Sequence, residues 1–316
     1  MKLLSLFKEL NKHPNNVNEL KGLILQLAFQ GKLTKKWRAV NSIYNGKQEI
    51  KALEGLSHNK LSKRDLSDLK EVLNGFSQGS IPENWGVTQL SYVADFWNGK
   101  AHESCVDENG QYVLVNSSFV STNGKKVKRV NQCFSPLSEN DIAIVMSDVP
   151  NGRALSRCFL VKEPNKYSLN QRIGGITPVK GINSNYLTLL LDRNPHYLAV
   201  NDGKKQTNLK RIHMISCPIP FPPVEEQKAI VEVVKQLFKE VEQLEELTKE
   251  RISLKEDFVT SALNVLTTSE NTSTEWEFLK GQFSTFFTET SSVKKLRETI
   301  LQLAVQGKLT AKWRAE

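Results

Sequence analysis

The clearest pattern in the chain is a stripe of apolar residues inside a highly charged run. From Val224 to Val265 there is neither glycine nor proline. Within that run Ile230, Val234, Leu237, Val241 and Leu244 follow one another at alternating steps of four and three. This is heptad spacing, so these five residues form the seam of a helix that pairs with another helix. The stripe shifts at Leu247 and continues through Leu254 and Phe258. Pro223 suits a first helical position, and Glu225 and Glu226 suit the positive N-terminal end. At ~1.5 Å per residue the run makes a helix of roughly 60 Å, long enough to demand a partner.

A shorter helical pattern occurs twice. Leu20, Ile24, Leu27 and Ala28 share one face, with Asn18 placed to cap the start and Gly31 to stop the helix in a left-handed conformation. Leu296, Ile300, Leu303 and Ala304 repeat the face, with Ser292 and Gly307 in the same roles. The segments LKGLILQLAFQGKLTKKWRA (20–39) and LRETILQLAVQGKLTAKWRA (296–315) agree at 15 of 20 positions, which is duplication rather than coincidence. These two helices are the natural partners of the long one.

Between Gly86 and Ile219 the period changes. Short β-rich runs appear, YVLV at 112–115, DIAIVM at 141–146 and CFLVK at 158–162, separated by the turn signals ENG, TNGKK, PNGR and NDGKK. SNYLTLLLDRNP reads as a helix, because it has a Ser/Asn start and a proline stop. The polar stretch from Asn41 to Ser80 carries one helical pattern, over 66–73 with Asp65 near its start, and otherwise reads as loop and linker. Ile81–Trp85 marks a boundary. The expected fold class is therefore α+β. One globular mixed α/β domain (81–222) follows an N-terminal helical region (1–80). It is attached to long, coiled-coil-like antiparallel helices, a spacer (223–265) and a second helical region with the repeat copy (266–316).

Charge adds a class of partner. The chain carries 43 basic and 34 acidic side chains, net +9. Residues 82–222 hold 16 basic against 11 acidic, whereas 223–265 hold 6 against 10. A positive surface concentrates polyanions, so nucleic acid suits the middle domain and protein contact suits the acidic helix. No apolar run approaches the ~18 residues of a membrane helix. The N-terminal MKLLSLFKELNK is broken by charges and reads as an amphipathic helix rather than a signal peptide. Cys105, Cys133, Cys158 and Cys217 lie more than 20 residues apart, which excludes CxxC spacing and fits reduced thiols in a cytoplasmic protein.

No catalytic or metal motif is present. Phosphate loops, GxGxxG, GxSxG and HExxH are absent, and His13, His58, His102, His196 and His213 are scattered singly. FPPV (221–224) lacks the flanking residues of an adenine methyltransferase motif. Asp141, Asp148 and Glu163 have no nuclease spacing.

Four loops instead combine Lys, Arg, Asn and Gln, the side chains that pair with phosphates and with guanine and adenine edges. They are NGKKVKR (123–129), PNGRALSR (150–157), LNQR (169–172) and DGKKQTNLKR (202–211). Lys125, Lys126, Lys204 and Lys205 are the candidate phosphate anchors. Arg153, Gln171, Arg172, Gln206 and Asn208 are the candidate base readers, and Lys128, Arg129, Arg157 and Lys210 are further candidates for DNA contact. Aromatics do not alternate with these residues, so single-strand stacking is less supported.

Taken in order, ILQLAFQGKLT (24–34), IPENW (81–85), GKKQTNLKRIHMISCPIPFPPVEEQ (203–227) and the long helix resemble the specificity subunit of type I restriction–modification enzymes. The matching positions are Ile81, Pro82 and Trp85 at the start of a target-recognition domain. Gln206, Asn208, Leu209, Ile219, Pro220, Pro222, Pro223, Glu226 and Gln227 match at its close. The resemblance implies a non-catalytic chain that reads half of a bipartite double-stranded DNA target in the major groove. It implies helices that set half-site spacing and dock methyltransferase (modification) subunits, which use S-adenosylmethionine. A restriction subunit, using ATP and Mg2+, joins them; no cofactor belongs to this chain. Family members usually contain two such repeats, so this chain resembles a half, either a fragment or a one-domain subunit that pairs as a homodimer. Two other readings stay open at this level: a coiled-coil adaptor that does not bind DNA, and the specificity region of a single-chain restriction–methylation enzyme.

Overall fold

A computed structural model of the chain describes residues 16–53, 55–76, 81–150 and 152–315. Two compact units are present. Among the described residues, one holds 22–237, and the other holds 238–315 together with 16–21.

The first unit is built on short antiparallel pairings. Eleven strands are described: β1 (Gly86–Gln89), β2 (Ala94–Asn98), β3 (Tyr112–Val115), β4 (Arg129–Val130), β5 (Ile142–Val145), β6 (Ser147–Asp148), β7 (Cys158–Leu160), β8 (Tyr167–Leu169), β9 (Ile173–Pro178), β10 (Thr207–Asn208) and β11 (Pro218–Phe221). The largest sheet has the order β2-β9-β5-β7, and a second has the order β4-β3-β8, in which β3 and β8 are parallel. β1 pairs with β11, and β6 with β10. Every residue of β5 is buried, as its unbroken apolar run demands of a central strand. Val113, Val115, Val145, Leu169 and Ile173 meet Phe119 and Tyr167 in one core, where Phe119, Phe159 and Tyr167 cluster with centroids 4.9–5.8 Å apart and Phe159 stands edge-on to the other two rings. Gly175 faces Trp97 across β2 and β9, and a Cβ there would stand 2.3 Å from the indole. His102 is fully buried, its Nδ1 2.7 Å from the Lys100 carbonyl and its Nε2 2.7 Å from Ser168 Oγ, so it is a structural residue.

The described helices include α1 (Val17–Phe29), α2 (Lys35–Val40), α3 (Gly46–Leu53), α4 (Lys63–Gly75), α5 (Ser184–Leu191) and α6 (Val224–Thr268), with α7 (Thr272–Gly281) and α8 (Thr290–Val305) in the second unit. Asn183 caps α5 through Tyr186 N–H, in line with the helix expected there. The 41–80 stretch departs from the linker expected of it. α3 lies against β1, and Gly46 N–H donates to the Asn84 carbonyl. Glu49 accepts Val224 N–H at 2.8 Å and so caps α6. Ser62 and Asp65 form a reciprocal capping box on α4. Asn59 Nδ2 donates to the Ser91 and Ala94 carbonyls. Polar side chains tie this stretch down, and hydrophobic periodicity does not register such anchors.

α6 extends three residues beyond the apolar run that predicted it. Ile230 and Val234 are fully buried, Val241 nearly so, Leu237 is half-buried and Leu244 is 36% exposed. The expected continuation through Leu247 and Leu254 is not found, for these are 61% and 62% exposed. The buried stripe passes instead through Thr248 to Val259, Leu263 and Leu266, a step to a different face that a helix of 3.6 residues per turn takes over a long run.

In the second unit Val259, Leu263 and Leu266 meet Leu279, Phe287, Leu296 and Leu303, with Phe258 stacked on Phe286 at 3.9 Å. α7 doubles back along α6, and α8 then runs in the direction of α6. Ser291 meets Glu256 at 2.6 Å, and Lys295 meets Thr260 at 2.9 Å. Lys308 donates to the Ser269 carbonyl at 3.0 Å. Lys21 of α1 meets Glu242 of α6 at 2.7 Å. α8 starts from Glu289 rather than from Ser292, which is buried on its helical face. Gly31 and Gly307 have φ of +67° and +72°, the left-handed stops expected of them. Among the described residues no helix is long and apolar enough to cross a membrane.

Two histidines give the first unit a pH dependence. Burial pushes His196 below its ordinary value, outweighing the His213 carbonyl that accepts from it. Burial and then Lys210 push His213 down. The unfolded chain takes up these protons near the ordinary ~6.5 and the folded chain resists them, so stability is complete above that pH and falls below it. The thermal midpoint is expected to drop between pH 7.5 and pH 5.5, and His196→Gln should flatten that slope in a melting series. Asp141 and Asp192, pushed up by burial, act in the opposite sense nearer the carboxylate range.

Candidate nucleic-acid interface

Three of the four basic loops converge on the short β6–β10 ribbon. Thr207 pairs with Asp148 and Asn208 with Ser147. Leu209 N–H donates to the Met146 carbonyl at 2.8 Å, and Met146 N–H donates to the Arg172 carbonyl at 3.2 Å. Residues 171–172, 146–148 and 206–209 are therefore laid side by side by backbone hydrogen bonds. The 149–155 loop is gathered to the same place by Asp148. Its carboxylate accepts Val149 N–H at 2.9 Å, Ala154 N–H at 2.7 Å and Leu155 N–H at 3.0 Å. Gly152 crosses so close that a Cβ would stand 2.1 Å from Asp148 Oδ1.

The 201–205 turn is held in the same manner. Asn201 Oδ1 accepts from Gly203 N–H and Thr207 Oγ1, both at 2.9 Å. Asp202 Oδ1 accepts Lys204 N–H at 2.9 Å and Lys205 N–H at 3.3 Å. The Asx turns occupy the backbone donors and leave both lysine side chains in water. Gln206 Nε2 donates to Ser147 Oγ at 2.9 Å, which orients its amide. Arg153, Gln171, Arg172, Lys204, Lys205, Gln206, Asn208 and Lys210 are all exposed, and Arg193 Nη1 donates to the Arg153 carbonyl at 3.3 Å.

Arg157 is placed differently, in an ion pair with Asp192 at 3.1 Å while Asp192 also accepts Cys158 N–H at 2.8 Å. The 123–129 loop leads into the edge strand β4. Lys125, Lys126, Lys128 and Arg129 are exposed there, and Arg129 Nη1 donates to the Gly110 carbonyl at 3.3 Å. Asp148, Ser147 and Asn201 organise this surface and carry no basic signal of their own. Their trace in the sequence is the short polar residue that precedes each turn.

The motif residues at the two ends of the domain form a buried polar hub. Glu226 is fully buried in the first turn of α6. Its Oε2 accepts Trp85 Nε1–H at 2.9 Å, and its Oε1 accepts Thr34 Oγ1–H at 2.6 Å and the Arg38 guanidinium. Arg38 also donates to Thr34 Oγ1 at 3.0 Å and to the Gly31 carbonyl, and lies 5.7 Å from the Trp85 ring centroid. Gln227, also fully buried, donates to the Pro222 carbonyl at 3.0 Å and accepts Asn183 N–H at 2.8 Å. Thr34 and Arg38 belong to the repeated phrase, and their repetition was the signal that they do more than solvate a helix.

Basic and amide side chains gathered on adjoining loops of one rigidly pinned unit are the make-up of a recognition module. Comparison with known proteins gives that class its family. Residues 82–254, more than half of the chain, match the type I restriction modification DNA specificity domain, and the chain belongs to this family. It is 28% identical to the Type I restriction enzyme EcoAI specificity subunit of Escherichia coli, over 93% of this chain and 52% of the relative. Its identity to the EcoEI specificity subunit of the same organism is 26%, with the same coverage. The crystal structure of the HsdS subunit from Thermoanaerobacter tengcongensis is similar at a TM-score of 0.43 and 16% identity, over 71% of this chain and 53% of that one. The chain spans about half the length of the curated relatives it matches. Both the family and these relatives are named for specificity.

Proposed function

We propose that this chain reads one half-site of a bipartite double-stranded DNA target in the major groove. The observation that carries this is the convergence of Arg172, Gln206 and Asn208 on one ribbon, flanked by Lys204 and Lys205. Arginine, glutamine and asparagine are the residues that form paired hydrogen bonds with guanine and adenine edges, and lysines anchor the backbone around them. A ribbon with an ordered turn positions them at little entropic cost.

In the same reading α6 sets the distance to a second half-site, and the helical unit docks methyltransferase subunits, with a restriction subunit joining them. The relatives' names as specificity subunits of type I restriction enzymes support this assembly. S-adenosylmethionine, ATP and Mg2+ would be used by those partners. The setting would be the cytoplasm, which suits four unpaired thiols, one of them Cys217, pushed up to about 12 by burial. Two copies of the chain paired through their helices would supply both half-sites.

The test is DNA binding by the purified chain, selected from a random duplex library and titrated against salt. The expected result is an enriched short motif and a steep linear fall of log affinity with log salt. Binding with a salt slope but no enriched motif would reduce the surface to a backbone binder. No binding, alone or with a methyltransferase subunit, would favour the adaptor reading.

A further inference from the structure

We propose that Thr310 and Arg314, in the second copy of the repeat, form a seat for the tryptophan and glutamate of a recognition unit other than the one in this chain. This rests on the reading above only in that the occupant is a unit of the same family.

The first copy shows what the phrase does. Gly31 turns left-handed, Arg38 folds back onto its carbonyl, and the clasp so formed holds Glu226 together with Thr34. Glu226 in turn holds Trp85. The fit is close, for a Cβ on Gly31 would stand 2.4 Å from Pro82 of the same motif.

The second copy builds the same clasp. Gly307 turns left-handed at φ +72°, Arg314 folds back onto the Gly307 carbonyl, and Thr310 Oγ1 lies 3.5 Å from that oxygen. The glycine, threonine, tryptophan and arginine are unchanged between the copies. What differs is the environment. Thr34 is 2% exposed and Ala28 fully buried, whereas Thr310, Ala304 and Arg314 are exposed. Val305 is 90% and Trp313 78% exposed. Among the described residues of its unit, no carboxylate pairs with Arg314. The opposite face of α8 is anchored by Leu296 and Leu303 in the helical core, and Lys308 is tied to the Ser269 carbonyl. The turn Lys308–Thr310 and the helix Ala311–Ala315 that follow α8 thus present a cation folded back on Gly307, a hydroxyl and an apolar surface, the chemistry that binds a carboxylate and an indole.

The occupant follows from counting. The chain has one Trp85–Glu226 pair, and the first copy already holds it. A second such pair must come from a second unit, and the curated relatives are about twice as long as this chain.

The test uses the full chain. Arg38→Met, with Arg38→Lys as a milder variant in case the first fails to fold, loosens the Trp85–Glu226 pair from the first copy and makes it the probe. Each variant is mixed with the wild-type chain, whose second copy is the seat. Mass is followed by light scattering, and the variant's melting is followed in parallel. The expected result is a mixed complex and a midpoint raised by several degrees, with Arg314→Ala in the wild-type partner weakening association at least tenfold. The proposal is overturned if that substitution changes nothing with either variant, including the case in which neither variant associates. DNA affinity of the Arg314→Ala chain should match the wild type. Loss of DNA binding by both chains would count against the function proposed above and leave the seat measurement standing.

Discussion

Arg38→Met is expected to lower the unfolding free energy of the 22–237 unit by about 3–5 kcal/mol, the usual cost of removing one partner from a buried ion pair. The Arg38 side chain is 16% exposed and Glu226 is not exposed at all, so solvent cannot replace the lost guanidinium. Glu226 would keep two neutral donors, Trp85 and Thr34, against a full buried charge. For a unit of this size the loss corresponds to a midpoint depressed by roughly 6–20 °C. Glu226→Gln keeps an acceptor for the indole while removing the charge. The double variant Arg38→Met/Glu226→Gln should therefore be more stable than the sum of its parts implies, by at least ~1 kcal/mol in a thermodynamic cycle. Simple additivity in urea melts would mean that the hub is a set of independent contacts.

On DNA the two kinds of residue at the β6–β10 ribbon should separate cleanly. Arg172→Ala or Gln206→Ala is expected to weaken binding to the selected target by about 1–3 kcal/mol while leaving random duplex almost unaffected. Lys204→Ala/Lys205→Ala should weaken both substrates alike and reduce the salt slope by about 2, one counterion for each phosphate contact. Lys125→Ala/Lys126→Ala provides the contrast, because their loop adjoins a different sheet. Isotherms at four salt concentrations measure all three variants. An equal loss on specific and random DNA for Arg172→Ala would move that residue from reading bases to holding the backbone.

Both expectations depend on a feature visible in the linear sequence only as punctuation. The long helix, the acidic first turn that opens it, the duplicated phrase and the alternation of strand and turn were legible, because period and stop signals are local properties of the chain. The basic loops were legible as composition. Their grouping was not. Loops around residues 150, 171 and 206 meet because Met146 lends its N–H to one and its carbonyl to another, whereas the loop at 123–129 leads to the edge strand β4. Arg157 reads as well as Arg153 in one dimension, and Asp192, 35 residues away, sets them apart. The 41–80 stretch read as linker because Asn59, Glu49 and Ser62 anchor it through polar side chains.

The sequence by itself determined the class of fold, the presence of the repeat and the kind of chemistry the middle domain offers, since apolar period, glycine stops and residue type need no neighbours to act. The tertiary structure decided which basic side chains share a surface. It also decided that Thr34 and Arg38 clasp Glu226, and that the same clasp stands exposed at Thr310 and Arg314. Hydrogen bonds between residues nearly two hundred positions apart leave no period in the chain, and burial, which gives a charge its energetic weight, exists only once the units have packed.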